Sequence, residues 1–150
     1  MRARPVVSFL VDGEPIPQGS KVAKLIPAPG TKWGVRPVLY DDNDKALKPW
    51  RKAVTAAAKA AAVDLDQLVD VPIVVVVEFR MSRPKTVKRE YPTVKPDVDK
   101  LERAVLDAVT DAGVWNDDSR VVVLKGSMVY AKTAGAFVQV GVIEKEGMEQ

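Results

Sequence analysis

Asp97, Asp99, Asp117 and Asp118 are the side chains of this chain best arranged for chemistry. They bracket the segment KPDVDKLERAVLDAVTDAGVWNDDSR, Lys95–Arg120. The chain has no histidine and no cysteine. Metal binding or acid–base work must therefore come from carboxylates, and this segment holds the best-organised group of them. An oxygen-only set of this kind suits a hard cation, Mg²⁺ or Mn²⁺, rather than zinc. Beside a phosphate, such a cation activates water and stabilises the leaving oxygen.

The spacing predicts how these acids are held. Pro96 disfavours helical geometry at Lys95, so the chain arrives at Asp97 extended. Asp99 followed by Glu102 has the pattern of a capping box. Leu101, Val105, Ala108, Val109 and Ala112 fall on one helical face, and Gly113 suits the C-terminal cap. On this reading the helix starts at Asp99, and Asp97 and Asp99 point the same way because extended residues alternate. A helix from Asp99 to Ala112 is about 20 Å long at ~1.5 Å per residue. The six residues onward to Asp118 span about 20 Å if extended. Asp118 is thus expected to return to the helix start, where Asp97, Asp99 and Asp118 meet. Arg103 lies one turn after Asp99, and Asp107 one turn further. Arg103 could offset charge developing on a phosphate or simply pair with Asp99 at i,i+4.

The surrounding elements read as α+β: a single two-layer domain with a mixed β-sheet packed against two main helices. Pro5–Val11 reads as a first strand and Asp12-Gly13 as a turn. Glu14–Leu39 is rich in proline and glycine and reads as irregular or a loose hairpin. A helix is expected from Asp44 to Val63, capped by Asp42 or Asn43, with an alanine-rich second half. The β-branched run in Pro72–Arg80 is typical of a buried strand. Arg120–Tyr130 and Ala136–Glu144 read as strands joined in a hairpin by Thr133-Ala134-Gly135. Residues 1–4 and 145–150 are expected to fray, and the domain spans 1–150.

Charge is unevenly placed. Gln18–Arg36 carries Lys21, Lys24, Lys32 and Arg36 with no acid. Arg80–Pro96 carries Arg80, Arg83, Lys85, Lys88, Arg89 and Lys95 against Glu90 alone. Both can be solvated loops, or two basic arms for a phosphate backbone. The second runs straight into the aspartates, which favours the arms. Trp115 is expected to pack against the helix rather than stack on a base. Trp33, Tyr40, Trp50 and Tyr91 are open to either role.

Composition narrows the class. Without cysteine there are no disulfides, thiol catalysis or Cys-ligated zinc, and secretion has no support. No signal peptide is visible, and no apolar run approaches the ~18 residues of a membrane span. The expected location is the cytoplasm. The net charge of +3 and pI near 9.1 are mildly basic.

In its order of motifs the chain resembles the RusA-type Holliday junction resolvases, common in phages and prophages. The resemblance rests on Lys95, Asp97-Val98-Asp99, Asp107, Gly113-Val114-Trp115 and Asp117-Asp118, with an opening Gly13-Glu14-Pro15-Ile16-Pro17-Gln18-Gly19. It implies a Mg²⁺-dependent endonuclease, with Mn²⁺ able to substitute, acting as a homodimer on four-way DNA junctions in a bacterial cytoplasm. It implies Asp97, Asp99 and Asp118 as metal-binding and catalytic carboxylates, Asp117 as a supporting acid and Arg103 as a catalytic cation. Lys21, Lys24, Arg80, Arg83, Lys85, Lys88, Arg89, Lys95 and Lys100 are the DNA-binding candidates. Two positions depart from the family pattern. Lys100 stands where many members have asparagine, and Arg103 where they often have lysine. Arginine keeps the charge without the compact ammonium. Two further readings stay open: a non-catalytic branched-DNA-binding protein of the same fold, and a small-molecule Mg²⁺ phosphohydrolase. No membrane and no small-molecule cofactor is expected.

Overall fold

The β-branched run Ile73–Phe79 takes the centre of the sheet, with one face wholly buried. In the computed structural model, which describes residues 1–145, it belongs to the strand Ile73–Ser82, in which Ile73, Val75, Val77 and Phe79 are fully buried. The described elements are β1 (Arg2–Asp12), β2 (Lys21–Pro27), β3 (Val35–Asp41), α1 (Asp44–Ala61), β4 (Ile73–Ser82), α2 (Val98–Asp111), β5 (Val121–Ala131) and β6 (Gly135–Glu144). A single 3₁₀ turn, Asp118–Arg120, precedes β5. The main sheet has the order β1-β6-β4-β5, and β2 and β3 form a separate two-stranded sheet. This is the expected α+β domain, a mixed sheet with two helices. The described residues contain no helix long and apolar enough to cross a membrane.

The core joins alternate residues of each strand to one stripe of each helix. Val7, Phe9 and Val11 of β1 lie opposite Val140, Val138 and Ala136 of β6. Leu47, Trp50, Val54 and Ala58 of α1 are buried, as are Leu101, Ala104, Val105, Ala108 and Val109 of α2. Each fully buried leucine or valine contributes on the order of 1.5–3 kcal/mol. Trp50, open to either role from sequence, is thereby a core residue.

Four expectations need correction. First, β5 and β6 do not form a hairpin. Each pairs with β4 instead, β5 parallel and β6 antiparallel. The physical reason is burial. The apolar β4 needs a neighbour on both sides, whereas β5 has no fully buried residue and takes the sheet edge. Second, Arg2–Arg4 are not frayed but pair with Glu144–Val142 of β6. Of the expected C-terminal fraying, residues 146–150 lie outside the described residues. Third, the hairpin alternative for Glu14–Leu39 holds, but the hairpin is regular rather than loose: Lys21–Asp41 is antiparallel with residue-by-residue register, closed through Ala28–Gly34, where the Ala28 N–H donates to the Gly34 carbonyl at 2.8 Å. Gly30 and Gly34 take the positive φ values, +88° and +70°, that the turn requires. Fourth, α2 starts one residue after Asp97, not at Asp99.

Candidate active site

Asp97 is the N-cap of α2, with φ −75° and ψ 138°, and Asp99 already lies in the first helical turn. The Leu101 N–H donates to the Asp97 carbonyl at 3.2 Å. The capping box expected between Asp99 and Glu102 therefore does not form, because the extended residue that caps is Asp97. Asp97 makes no side-chain cap bond, so its carboxylate is left for another partner. The preceding Lys95–Pro96 peptide is cis. Asp97 and Asp99 both remain exposed and sit where the helix dipole favours negative charge.

Asp97 opens onto a cleft lined also by Glu14, Asp42, Lys95 and Lys100. The Gly13–Ser20 segment is fastened to the start of α2, since the Gln18 N–H donates to the Lys100 carbonyl at 3.0 Å. Gly19 packs tightly there. A Cβ on it would collide with the side-chain oxygens of Asn43 and Asp42 at the start of α1. Glu14 in turn accepts from the Ser82 N–H at 3.3 Å and from its hydroxyl at 2.8 Å.

Asp118 sits elsewhere. It shares a second cleft with Arg51, Asp107, Asp111 and Asp117. After Gly113 takes a φ of +77°, the chain turns back beside α2 but has reached only Asp107 when it comes to Asp118. It is captured by Leu68, whose N–H donates to the Val114 carbonyl at 2.9 Å and whose carbonyl accepts from Asn116 N–H at 3.1 Å. Trp115 is buried at 1% exposure, and its indole N–H donates to Thr110 Oγ1 at 2.7 Å. Trp115 thus packs rather than stacks. With this anchoring, Asp118 stays beside Asp107 instead of reaching the helix start. Among the described residues no three acidic side chains are gathered closely enough to hold a metal ion. The convergence expected from chain length does not occur within one protomer.

The electrostatics mark the strip between the two ends. Burial, with Asp99 nearby, pushes the Glu102 carboxyl up from its ordinary value. Glu102 lies over Gly126 of β5, where an added Cβ would come within 2.7 Å of its carboxyl group. Asp107 is also pushed up, first by burial and then by Asp118 and Asp111, with Arg51 and Arg103 opposing. Asp117 is held down by the Ser119 N–H, which donates to it at 2.8 Å. Among the described residues, Asp99 and Arg103 form no ion pair, so Arg103 remains exposed on the same strip.

The basic candidates divide into three groups. Arg83, Lys85, Lys88, Arg89 and Lys95 all lie on the irregular segment between β4 and α2, which ends at Asp97. Lys21 and Lys24 project on the β2–β3 hairpin, whose Trp33 is 78% exposed with the Lys32 ammonium 5.1 Å from its ring centre. Lys100 reaches Ser20 Oγ at 3.5 Å. Arg80, on β4, is paired with Glu78 at 2.8 Å. Sequence reading of the loops missed a further group. Lys48, Arg51, Lys52 and Lys59 of α1 line a groove beside Asp111. The spacing 48, 51, 52, 55, 59 is one helical face, and that spacing was the signal available.

A family model for the endodeoxyribonuclease RusA matches residues 26–141. This chain belongs to the RusA endodeoxyribonuclease family. The match spans the end of β2, β3, both helices and the Asp97–Asp118 segment. No curated protein matches the chain significantly.

Proposed function

We propose that this RusA-family chain is a Mg²⁺-dependent endodeoxyribonuclease that resolves four-way DNA junctions by paired, symmetric incisions. Asp97, Asp99 and Asp118 are its metal-binding and catalytic carboxylates, Asp117 a supporting acid and Arg103 a cation at the scissile phosphate. The observation that carries this reading is one of adjacency. Asp97 is the N-cap residue of α2, its carboxylate makes no cap bond, and it stands at the end of a segment bearing five cations and one acid between residues 83 and 95. Lys21, Lys24, Arg83, Lys85, Lys88, Arg89, Lys95 and Lys100 then carry the DNA backbone, with Arg80 tied to Glu78.

The donor chemistry fits a hard divalent cation, but the arrangement in one protomer does not, since Asp118 is in a different cleft from Asp97. When bound, the cation would supply Lewis acidity at a phosphate oxygen. The three carboxylates are exposed. A homodimer resolves the mismatch, with the Asp118 cleft of one protomer completing the Asp97–Asp99 end of the other. A four-way junction has near two-fold symmetry, and a C₂ dimer presents two equivalent sites to it. The edge strand β5, with Val122 and Leu124 exposed, offers surface for such pairing. The place of action is the bacterial cytoplasm, where branched DNA arises in recombination and repair.

The dispersed carboxylates also favour a second reading, a branched-DNA-binding protein without catalysis. A synthetic four-way junction incubated with Mg²⁺ separates the two. The nuclease gives paired, ligatable nicks, and Asp97→Asn lowers their rate at least about 100-fold while junction binding persists. Salt-sensitive binding with no metal-dependent product would leave the non-catalytic reading. Cleavage by Asp97→Asn at the wild-type rate would remove Asp97 from the site.

A further inference from the structure

Tyr130, near the end of β5, is gripped by two guanidinium groups from the basic segment opposite. The Arg83 guanidinium carbon lies 4.8 Å from the ring centre and that of Arg89 lies 5.8 Å away. The Arg89 Nε–H also donates to the Tyr130 hydroxyl at 2.9 Å. The ring is half-buried against the core, so it is a fixed object to which an otherwise irregular segment is tied. Arg83, Tyr130 and Lys132, with Ser82, wall a cleft of about 410 Å³.

We propose that this cleft, at the C-terminal ends of β4 and β5, is a subsite for a DNA phosphodiester, with Tyr130 the positioning residue that holds Arg83 and Arg89 toward it. The proposal rests on the nucleic-acid reading above and assigns roles to Tyr130 and Lys132, which charge placement in the loops did not reveal. Three cations converge here. Among the described residues, none of the three is in an ion pair with a carboxylate. Gathering like charges is unfavourable unless something offsets it. The ring face does so in part, through its attraction for a cation. A phosphodiester would do so fully, because guanidinium donors match its oxygens. Each arginine has five N–H donors. The described bonds take one from Arg89, to the tyrosine, and one from Arg83, to the Glu90 carbonyl at 3.4 Å.

Position supports the assignment. Ser82 lines this cleft, and its N–H and hydroxyl donate to Glu14, which lines the cleft of Asp97. The cationic cleft and the Asp97 cleft are thus neighbours across one residue pair. A strand seated on Arg83 and Lys132 runs toward the carboxylates. Tyr130 also lessens the ordering cost of the segment on binding, since fixing backbone conformation costs entropy. A segment already anchored at two arginines has less freedom left to lose.

The test is binding of a labelled four-way junction in EDTA across a KCl series, with wild type, Tyr130→Leu, Tyr130→Phe and Lys132→Gln. Tyr130→Leu is expected to weaken binding about 10-fold and reduce the magnitude of the log K against log salt slope by about 2. Lys132→Gln is expected to reduce that slope by about 1. Tyr130→Phe keeps the ring, frees only Arg89, and falls between wild type and Tyr130→Leu. In the free protein, trypsin cuts the Arg83–Arg89 segment faster in Tyr130→Leu than in wild type. The junction protects that segment in wild type, and inorganic phosphate does not. Wild-type affinity and slope in both Tyr130→Leu and Lys132→Gln would overturn the proposal, as would a wild-type chain that binds no junction. Protection by inorganic phosphate alone would assign a small-anion site instead. Because no metal is present, a chain that binds the junction but never cuts it would defeat the nuclease reading and leave this subsite standing.

Discussion

Arg51 of α1 and Asp111 at the end of α2 are joined by a 2.8 Å bond from Nη2 to Oδ2. The pair spans the two helices at the mouth of the cleft that holds Asp107 and Asp118. Arg51 is 30% exposed and Asp111 56%, so solvent screens the pair and its stabilisation is modest. Arg51 also counters the burial that pushes the Asp107 carboxyl up. One arginine thus ties the helices together and tempers an acidic cleft.

Arg51→Gln is therefore expected to lower stability by up to about 1 kcal/mol at pH 7. The sign with pH follows from Asp107. Its folded-state value lies above the unfolded one, so its contribution is most favourable below the unfolded value, 3.8, and declines as pH rises through the raised value. Removing Arg51 raises that value further. The loss should be larger at pH 7 than near pH 4, in urea melts of both proteins. An equal loss at both pH values would mean that Arg51 does not act on Asp107.

Thr110→Val removes the acceptor of the Trp115 indole N–H while keeping the volume. Thr110 Oγ1 also donates to the Leu106 carbonyl at 2.9 Å, so both functions of the hydroxyl are used. Stranding a buried donor costs about 1–3 kcal/mol, whereas Trp115→Ala should cost about 3–5 kcal/mol. Thermal melting with tryptophan fluorescence measures both. A neutral Thr110→Val would show that the indole finds another acceptor.

Asp97→Asn and Asp118→Asn lie in separate clefts, and each alone should abolish junction cleavage. Mixed at equal amounts and allowed to exchange protomers, they should regain about a quarter of wild-type nicking, because half the dimers carry one intact site. No recovery in demonstrated mixed dimers would mean that the carboxylates meet within one protomer after rearrangement.

The α1 groove gives a further expectation. The triple variant Lys48→Gln, Lys52→Gln and Lys59→Gln should reduce the salt slope of junction binding by up to about 3, roughly one per lost phosphate contact. Lys48 already pairs with Asp44 at 3.2 Å, so a reduction nearer 2 fits the geometry. An unchanged slope would make this face a solvated one.

Most of the elements, and the limits on which side chains could do chemistry, are written in the sequence. The 3.6-residue spacing of Leu101, Val105, Ala108 and Val109 specified α2, the β-branched run specified β4, and the lack of histidine and cysteine left only carboxylates. The order of acids and glycines pointed to the family that the match over residues 26–141 shows. These are local signals, carried by neighbours in the chain. The tertiary structure decided what local spacing cannot. β4 separates β5 from β6 because the buried, β-branched strand must be flanked on both edges. Asp97 caps α2 because it is the extended residue next to the helix. Asp118 is held away from Asp97 because Leu68, distant in sequence, pairs with the Trp115 segment and burial of the indole fixes it there. Tyr130 meets Arg83 and Arg89 only because β5 runs parallel to β4 and ends beside it. Chain length sets how far a residue can reach, but which partners capture it depends on contacts between segments far apart in sequence.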